Sequence, residues 1–348
     1  MLNGERARVR RTPRLASPSP LLTRNAALEQ LTRHQVQGCL ARGDLSPLRP
    51  GLYAVPGLWS ELAPHERHQL LAEATGRADD RAALSHVSAA LVWGLPNPRG
   101  ALPRVELTVT DGPRVSRAAS RAHLHRAELP HRHLREVDGL LVTSPARTVV
   151  DCFRSLRLGD AVAIGDAALR RGLTSLLEVE DVLDVQRRWP FLGKAWHGIP
   201  LLDPRRENWL ESYSAAALFL VDIPLATPQV SVFTSDGRFV ARVDALWEEE
   251  GIIGEADGVG KYLGDFDEHG DRSSQAVARR VVESGARESR LRDLGFEVVR
   301  WDPGEITRSP GAMADRWLAA RARQDPRRIR ARLRYDGAPG LTWYTPSR

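Results

Sequence analysis

The apolar positions between residues 21 and 63 follow two helical repeats and then an alternation. Asn25 or Thr23 is placed to cap a short helix through about Gln30, and Thr32 to cap a second, Arg33 to Arg42, which Gly43 stops. On the second helix Val36, Cys39 and Leu40 make one apolar face, leaving Arg33, Gln37 and Arg42 outward, flanked by His34 and Gln35. Leu45 to Leu48, a Pro50-Gly51 turn and Leu52 to Val55 then read as a small hairpin with Arg49 at its tip. Helix, helix and basic hairpin is the layout of a winged helix-turn-helix, whose second helix enters the major groove while the wing contacts the backbone. Arg33, Gln35, Gln37, Arg42 and Arg49 are the candidate DNA contacts, because Arg and Gln side chains can read base edges. A helical pair whose hairpin only supports the next domain has the same pattern.

Residues 64–189 mix the two periods and predict an α+β domain. A helix runs from Pro64, and another is capped by Ser85 and ended by Gly94-Leu95-Pro96. Strands are predicted at Val105–Thr110, Ala122–Arg126 and Leu140–Thr143, then a Pro145-initiated helix, then helices at about Leu158–Arg171 and Leu176–Trp189. Arg147 and Asp151 lie four apart on a helix, the spacing of an intrahelical ion pair, with contact to a toxin or nucleotide as the alternative. His123, His125, His131 and His133 lack nearby Cys or acids at ligand spacing and read as solvated. Residues 190–204, rich in Gly and Pro, predict a linker.

Residues 205–320 predict a helix, a meander of strands, a second helix and a fourth strand. Glu207 and Glu211 lie one turn apart on the first helix; Glu207 also suits a first-turn acid favoured by the helix dipole. Val230–Thr234, Phe239–Asp244 and Ile252–Asp257 are the first three strands, and Glu297–Trp301 the fourth, after an Arg-rich helix from Ala276 to Leu294. Glu255 and Asp257, two apart, share one face of their strand, which Asp244 reaches from the neighbouring one. Converging carboxylates repel unless a proton or cation lies between them, and hard oxygen ligands with an open position suit Mg²⁺ or Mn²⁺, the ions of phosphodiester cleavage. The same acids also suit a solvated hairpin end.

Composition narrows the setting. A chain of 348 residues, 42% hydrophobic, has material for two or three domains. No apolar run approaches a membrane span, and the first twenty residues, basic and rich in Pro and Ser, have no secretory pattern, so a cytoplasmic protein is expected. Cys39 and Cys152 sit in apolar helical patterns and read as buried thiols. The net charge of +6 is concentrated in two segments, residues 1–14 with five Arg and residues 321–334 with seven. Basic tails at 1–20 and 321–348 around a near-neutral body fit phosphate contact, and equally fit solvated ends. Only Lys194 and Lys261 break the use of Arg, so Lys261 just beyond the acidic corner stands out as a compact ammonium donor.

Two resemblances follow from these residues. Leu31-Thr32-Arg33-x-Gln35-Val36, Gly43 and Arg49-Pro50-Gly51-x-Tyr53-Ala54-Val55 resemble the N-terminal domain of AbiEi-type antitoxins of type IV toxin–antitoxin systems. Leu84-Ser85-His86-x-Ser88-Ala89-Ala90, Val142-Thr143-Ser144-Pro145-x-Arg147-Thr148-Val149-Val150-Asp151 and Ala167-x-x-Arg170-Arg171-Gly172 resemble its second segment. The order Glu211, Asp236-Gly237, Asp244, Glu255-x-Asp257, Lys261 resembles the PD-(D/E)xK nuclease-like superfamily, in particular its Vsr-like branch. The resemblances imply a winged helix-turn-helix (21–63), an AbiEi-like α+β domain (64–189) and a restriction-endonuclease-like α/β domain (205–320). They imply an antitoxin-type transcriptional regulator that binds double-stranded DNA and a cognate toxin. The alternative is a Mg²⁺-dependent DNA endonuclease targeted by the winged helix, in which Asp244 and Glu255 hold the metal, Glu211 assists and Lys261 orients water. Glu255-x-Asp257 stands where typical nucleases have Glu-x-Lys, so Lys261 would be a stand-in and Asp257 a further ligand. A third reading is a scaffold that neutralises a kinase- or nucleotidyltransferase-like toxin.

Overall fold

The computed structural model describes residues 19–78, 81–99, 102, 104–110, 122–256, 274–336 and 340–345, with side chains of 274–282 left out. The chain divides into two compact units, Met1–Val92 with Gly100–Val142, and Trp93–Arg99 with Thr143–Arg348. Both mix α and β structure, as expected of a multidomain α+β chain.

The N-terminal unit begins with β1 (Leu21–Thr23), α1 (Arg24–Gln30), α2 (Arg33–Arg42), β2 (Ser46–Arg49) and β3 (Leu52–Ala54). Thr23 caps α1 by accepting from the Ala26 N–H, and Thr32 and Gln35 close a reciprocal capping box on α2. Gly43, at φ 79°, ends α2 in the left-handed conformation that only Gly adopts without strain. The strands form a three-stranded antiparallel sheet in the order β1-β3-β2, over a core of Leu22, Ala27, Leu31, Val36, Cys39 and Leu45.

After α3 (Pro56–Glu61) and α4 (Pro64–Gly76) the unit builds a second sheet. Its strands are β4 (Ala82–Leu84), β5 (Glu106–Val109), β6 (His123–Arg126), β7 (Leu134–Val137) and β8 (Leu140–Thr143), in the order β6-β5-β4-β8-β7. Helix α5 (His86–Val92) leaves the end of β4 at once, and β5 runs antiparallel to β4 and parallel to β6. Asp138 and Gly139, both at positive φ, make the two-residue turn between β7 and β8.

The C-terminal unit opens with α6 (Pro145–Ser155), α7 (Leu158–Arg170), α8 (Leu176–Val185), α9 (Gly193–Gly198) and α10 (Trp209–Phe219). The expected linker at 190–204 is instead ordered packing: α9 and a 3-10 turn bury Ala195, Ile199 and Leu201. A side chain at Gly198 would come within 2.4 Å of Phe153, so this glycine serves close packing and not a hinge. Arg147 and Asp151 form the intrahelical ion pair at 2.8 Å, both buried, with Arg154 as a second partner of the carboxylate at 3.2 Å.

Beyond α10 come β9 (Thr227–Thr234), β10 (Phe239–Trp247), β11 (Ile252–Ala256), α11 (Ser274–Asp293), β12 (Glu297–Trp301), α12 (Pro303–Arg308), α13 (Pro310–Arg323), β13 (Ala331–Arg334) and β14 (Thr342–Trp343). They form one six-stranded sheet in the order β12-β11-β10-β9-β13-β14, antiparallel except where α11 returns the chain to set β12 parallel to β11. One face packs Trp247 and Trp301 against Tyr213 of α10 and Trp317 of α13. The other packs Val230, Val243, Ile253 and Val298 with Leu291 of α11. The Arg-rich segment after 321 is not a tail throughout. Ala331 and Leu333 point inward and extend the sheet beside β9, while Arg332 and Arg334 stack on Trp343 and Phe233. Two apolar positions among seven arginines give only a faint alternation in the sequence.

Candidate functional site

The predicted carboxylates belong to the C-terminal unit, where α10, β10 and β11 position them. Asn208 caps α10 by accepting from the Glu211 N–H at 3.1 Å, which places Glu211 in the first turn. The Glu211 carboxylate, buried at 6% exposure, accepts from the Glu207 N–H at 2.8 Å, from Gln229 Nε2 at 2.8 Å and from the Asn208 side-chain amide. Gln229 holds φ at 59°, an uncommon conformation for a non-glycine residue, directly in the strand that pairs with β10. The pairing register is continuous there, yet Val243 packs on one face of the sheet and Ala245 on the other. The side-chain alternation therefore slips at Asp244, opposite Gln229.

Asp244 Oδ2 accepts from the Ala256 N–H at 2.9 Å, tying the end of β11 to β10. Glu211 and Asp244 line one cavity of about 30 Å³, together with Arg206, Ala256 and Trp301. That volume has room for one or two waters. Arg206, nearly buried, pairs with Asp166 of α7 at 2.9 Å. Burial nonetheless outweighs this ion pair and pushes the Asp166 carboxyl up to about 6, because no solvent reaches it. Glu255, also buried, faces α11 and accepts from Arg287 at 2.9 Å. Glu207 pairs with Arg242 at 2.5 Å, both side chains about half exposed. Asp257 and Lys261 lie outside the described residues.

The structure thus brings Glu211 and Asp244 together and turns Glu255 toward an arginine. Amide donors engage the Glu211 carboxylate and Asp244 Oδ2, and a guanidinium engages Glu255 Oε2.

In the N-terminal unit, Arg33 and Gln37 are exposed on α2, one turn apart and hence on one face. The other three predicted contacts have partners within the fold. Gln35 accepts from Thr32 in the capping box at 2.8 Å, Arg42 pairs with Asp44 at 2.9 Å, and Arg49 donates to Thr75 of α4 at 2.5 Å.

The same unit holds a second cluster of ligand-type side chains. The ligand-capable atoms of His86, Glu106 and His125 all lie within 4.8 Å of one another. Glu106 and His86 are buried, and the His125 ring stacks on His86 with centroids 3.7 Å apart. His125 Nε2 lies 3.3 Å from Glu106 Oε1, and His123 Nδ1 4.0 Å from the same oxygen. Not all four histidines are solvated as expected: His125 is partly buried and His133 is buried, whereas His123 and His131 are exposed. No sequence spacing announces this cluster, because its members come from three separate elements. The parallel pairing of β5 with β6, which sets Glu106 opposite His123 and Thr108 opposite His125, brings them together.

No family model matches the chain. Uncharacterized proteins MT2308 and Rv2248, from two strains of Mycobacterium tuberculosis, are each 29% identical to it over 184 residues, 53% of this chain. The match takes in 62% of those relatives' length, so the chain spans less than two thirds of either. Among solved structures, the RV2827C protein from Mycobacterium tuberculosis is similar over 61% of this chain and 79% of its own, with a TM-score of 0.35 and 17% identity. Among the described residues, no helix is long and apolar enough to cross a membrane.

Proposed function

We propose that this chain is a DNA-binding regulator of the AbiEi antitoxin type, and that its C-terminal unit is a nuclease-like fold used as a scaffold. The observation that supports the reading is the order β1-α1-α2-β2-β3 with sheet order β1-β3-β2, which suits a winged helix-turn-helix, with Arg33 and Gln37 exposed on the second helix. A guanidinium and an amide on one helical face suit base edges in the major groove. Partner residues within the fold hold Gln35, Arg42 and Arg49, so DNA contact centres on Arg33 and Gln37. The partner on the toxin side would be a kinase- or nucleotidyltransferase-like protein.

Fluorescence anisotropy with DNA from the gene's own upstream region, against a scrambled duplex, tests this. Sequence-specific binding that weakens with salt is expected, with Gln37→Ala costing ~1–3 kcal/mol on the specific duplex and little on the scrambled one. Equal affinity for both duplexes in wild type and variant would remove the regulator reading.

The endonuclease reading keeps one supporting observation, the shared cavity of Glu211 and Asp244 within a helix–three-strand–helix–strand core. Incubation of supercoiled plasmid with Mg²⁺ or Mn²⁺ separates the two. Nicking by wild type but not by Asp244→Asn would make the C-terminal unit the enzyme and the winged helix its targeting module. An intact plasmid, at protein concentrations that still shift DNA on a gel, leaves the scaffold reading standing.

A further inference from the structure

We infer that His86, Glu106 and His125 form a binding site for one divalent transition cation of the Zn²⁺ class, independent of the carboxylates of the C-terminal unit. Two imidazoles and one carboxylate with an open position form a donor set suited to such ions, whereas Mg²⁺ prefers oxygen alone. The geometry fits the ion's size. Zinc bonds of ~2.0–2.1 Å in a tetrahedron put neighbouring ligand atoms ~3.4 Å apart. The Nε2 of His125 and the Oε1 of Glu106 already stand 3.3 Å apart, and the remaining separations, within 4.8 Å, need only a modest closure.

The surroundings are arranged as a metal site requires. The other oxygen of Glu106 accepts from the Val87 N–H at 3.0 Å, and the Ser85 hydroxyl lies 3.0 Å from Nδ1 of His86. Such outer contacts hold first ligands in orientation. Ser88 extends the support: its hydroxyl accepts from the Glu106 N–H at 2.8 Å and lies 2.8 Å from His68 Nε2. His86 begins α5 at φ 52°, a conformation that costs energy for a non-glycine residue and recurs at ligand-binding positions. That strained backbone sets the imidazole against Glu106 and His125.

Charge gives an independent reason. Glu106 is 3% exposed, and its Oε1 faces imidazoles. One cation between the two rings and the carboxylate would meet Glu106, His86 and His125 at once. His123, exposed on the same strand as His125, is a further donor near the open position, with water as its competitor.

The test uses the full chain purified without a polyhistidine tag, stripped with chelator and titrated with Zn²⁺ by calorimetry. One equivalent is expected to bind the wild type. His125→Ala and Glu106→Gln are expected to weaken it by more than the ~10–100-fold that losing an outer partner costs. Because Glu106 is buried and its loss can unfold the unit, the half-buried His125 gives the primary variant, with circular dichroism as its control. X-ray absorption on zinc-loaded wild type gives a reading that needs no variant: two or three imidazoles, oxygen and no sulfur. Absence of saturable binding, unchanged affinity in folded His125→Ala, or an absorption spectrum without imidazole would each overturn the site.

Discussion

Truncating Glu211 separates two uses of a buried acid, because a structural latch and a catalytic ligand respond in opposite ways. In the structure this carboxylate gathers the Glu207 N–H, the Asn208 amide and Gln229 Nε2. Hydrogen bonds to a charged group contribute ~1.5–3 kcal/mol each, and an orphaned buried donor costs ~1–3 kcal/mol. Glu207 and Asn208 can be rehydrated, since both are partly exposed, but Gln229 is buried at 3% exposure. Glu211→Ala should therefore destabilise the C-terminal unit by ~2–4 kcal/mol, most of it from Gln229, with Glu211→Gln intermediate. For a unit of this size ~1 kcal/mol moves Tm by ~2–4 °C, so a fall of ~5–15 °C is expected. Differential scanning calorimetry measures it, with tryptophan fluorescence in urea as a second probe, since Trp209, Trp247, Trp301 and Trp317 all lie in this unit. An unchanged or raised Tm would refute the reasoning. Residues kept for chemistry are commonly held at a cost in stability, and their removal is neutral or stabilising.

Three further outcomes follow from the same packing. Asp151→Asn removes the carboxylate charge that pairs with the fully buried Arg147 and should cost ~3–5 kcal/mol in urea unfolding, whereas Arg147→Met with Asp151→Leu should recover most of it. Asp166 carries a carboxyl whose folded value, about 6, lies above its ordinary one, so the folded state binds the extra proton. Its contribution is fully present below about pH 4 and lost as pH rises through about 6; the stability of wild type relative to Asp166→Asn should fall across that window in chemical denaturation. Trp317→Ala removes a ring at 1% exposure that meets Trp247 edge-on at 5.9 Å, and should cost ~3–5 kcal/mol by urea unfolding.

Local chemistry in the sequence determined much of what is seen. Thr32 and Gly43 set the ends of α2, Pro145 starts α6, and the alternation of 297–301 is β12 residue for residue. These features rest on contacts within a few positions of one another, so they are legible without a fold. Side-chain partners are not local, and there tertiary structure decided. Arg49, exposed on a hairpin by its sequence, reaches Thr75, and Glu255 meets Arg287 thirty-two positions away. The Gly/Pro run at 190–204 reads as a linker until Phe153 is placed against Gly198. Ala331 and Leu333 are too few to announce a strand among arginines, and become one only because β9 offers an open edge. His86, Glu106 and His125 form a cluster for the same reason: sheet pairing closes gaps of about twenty residues, which no spacing rule in a single sequence can anticipate.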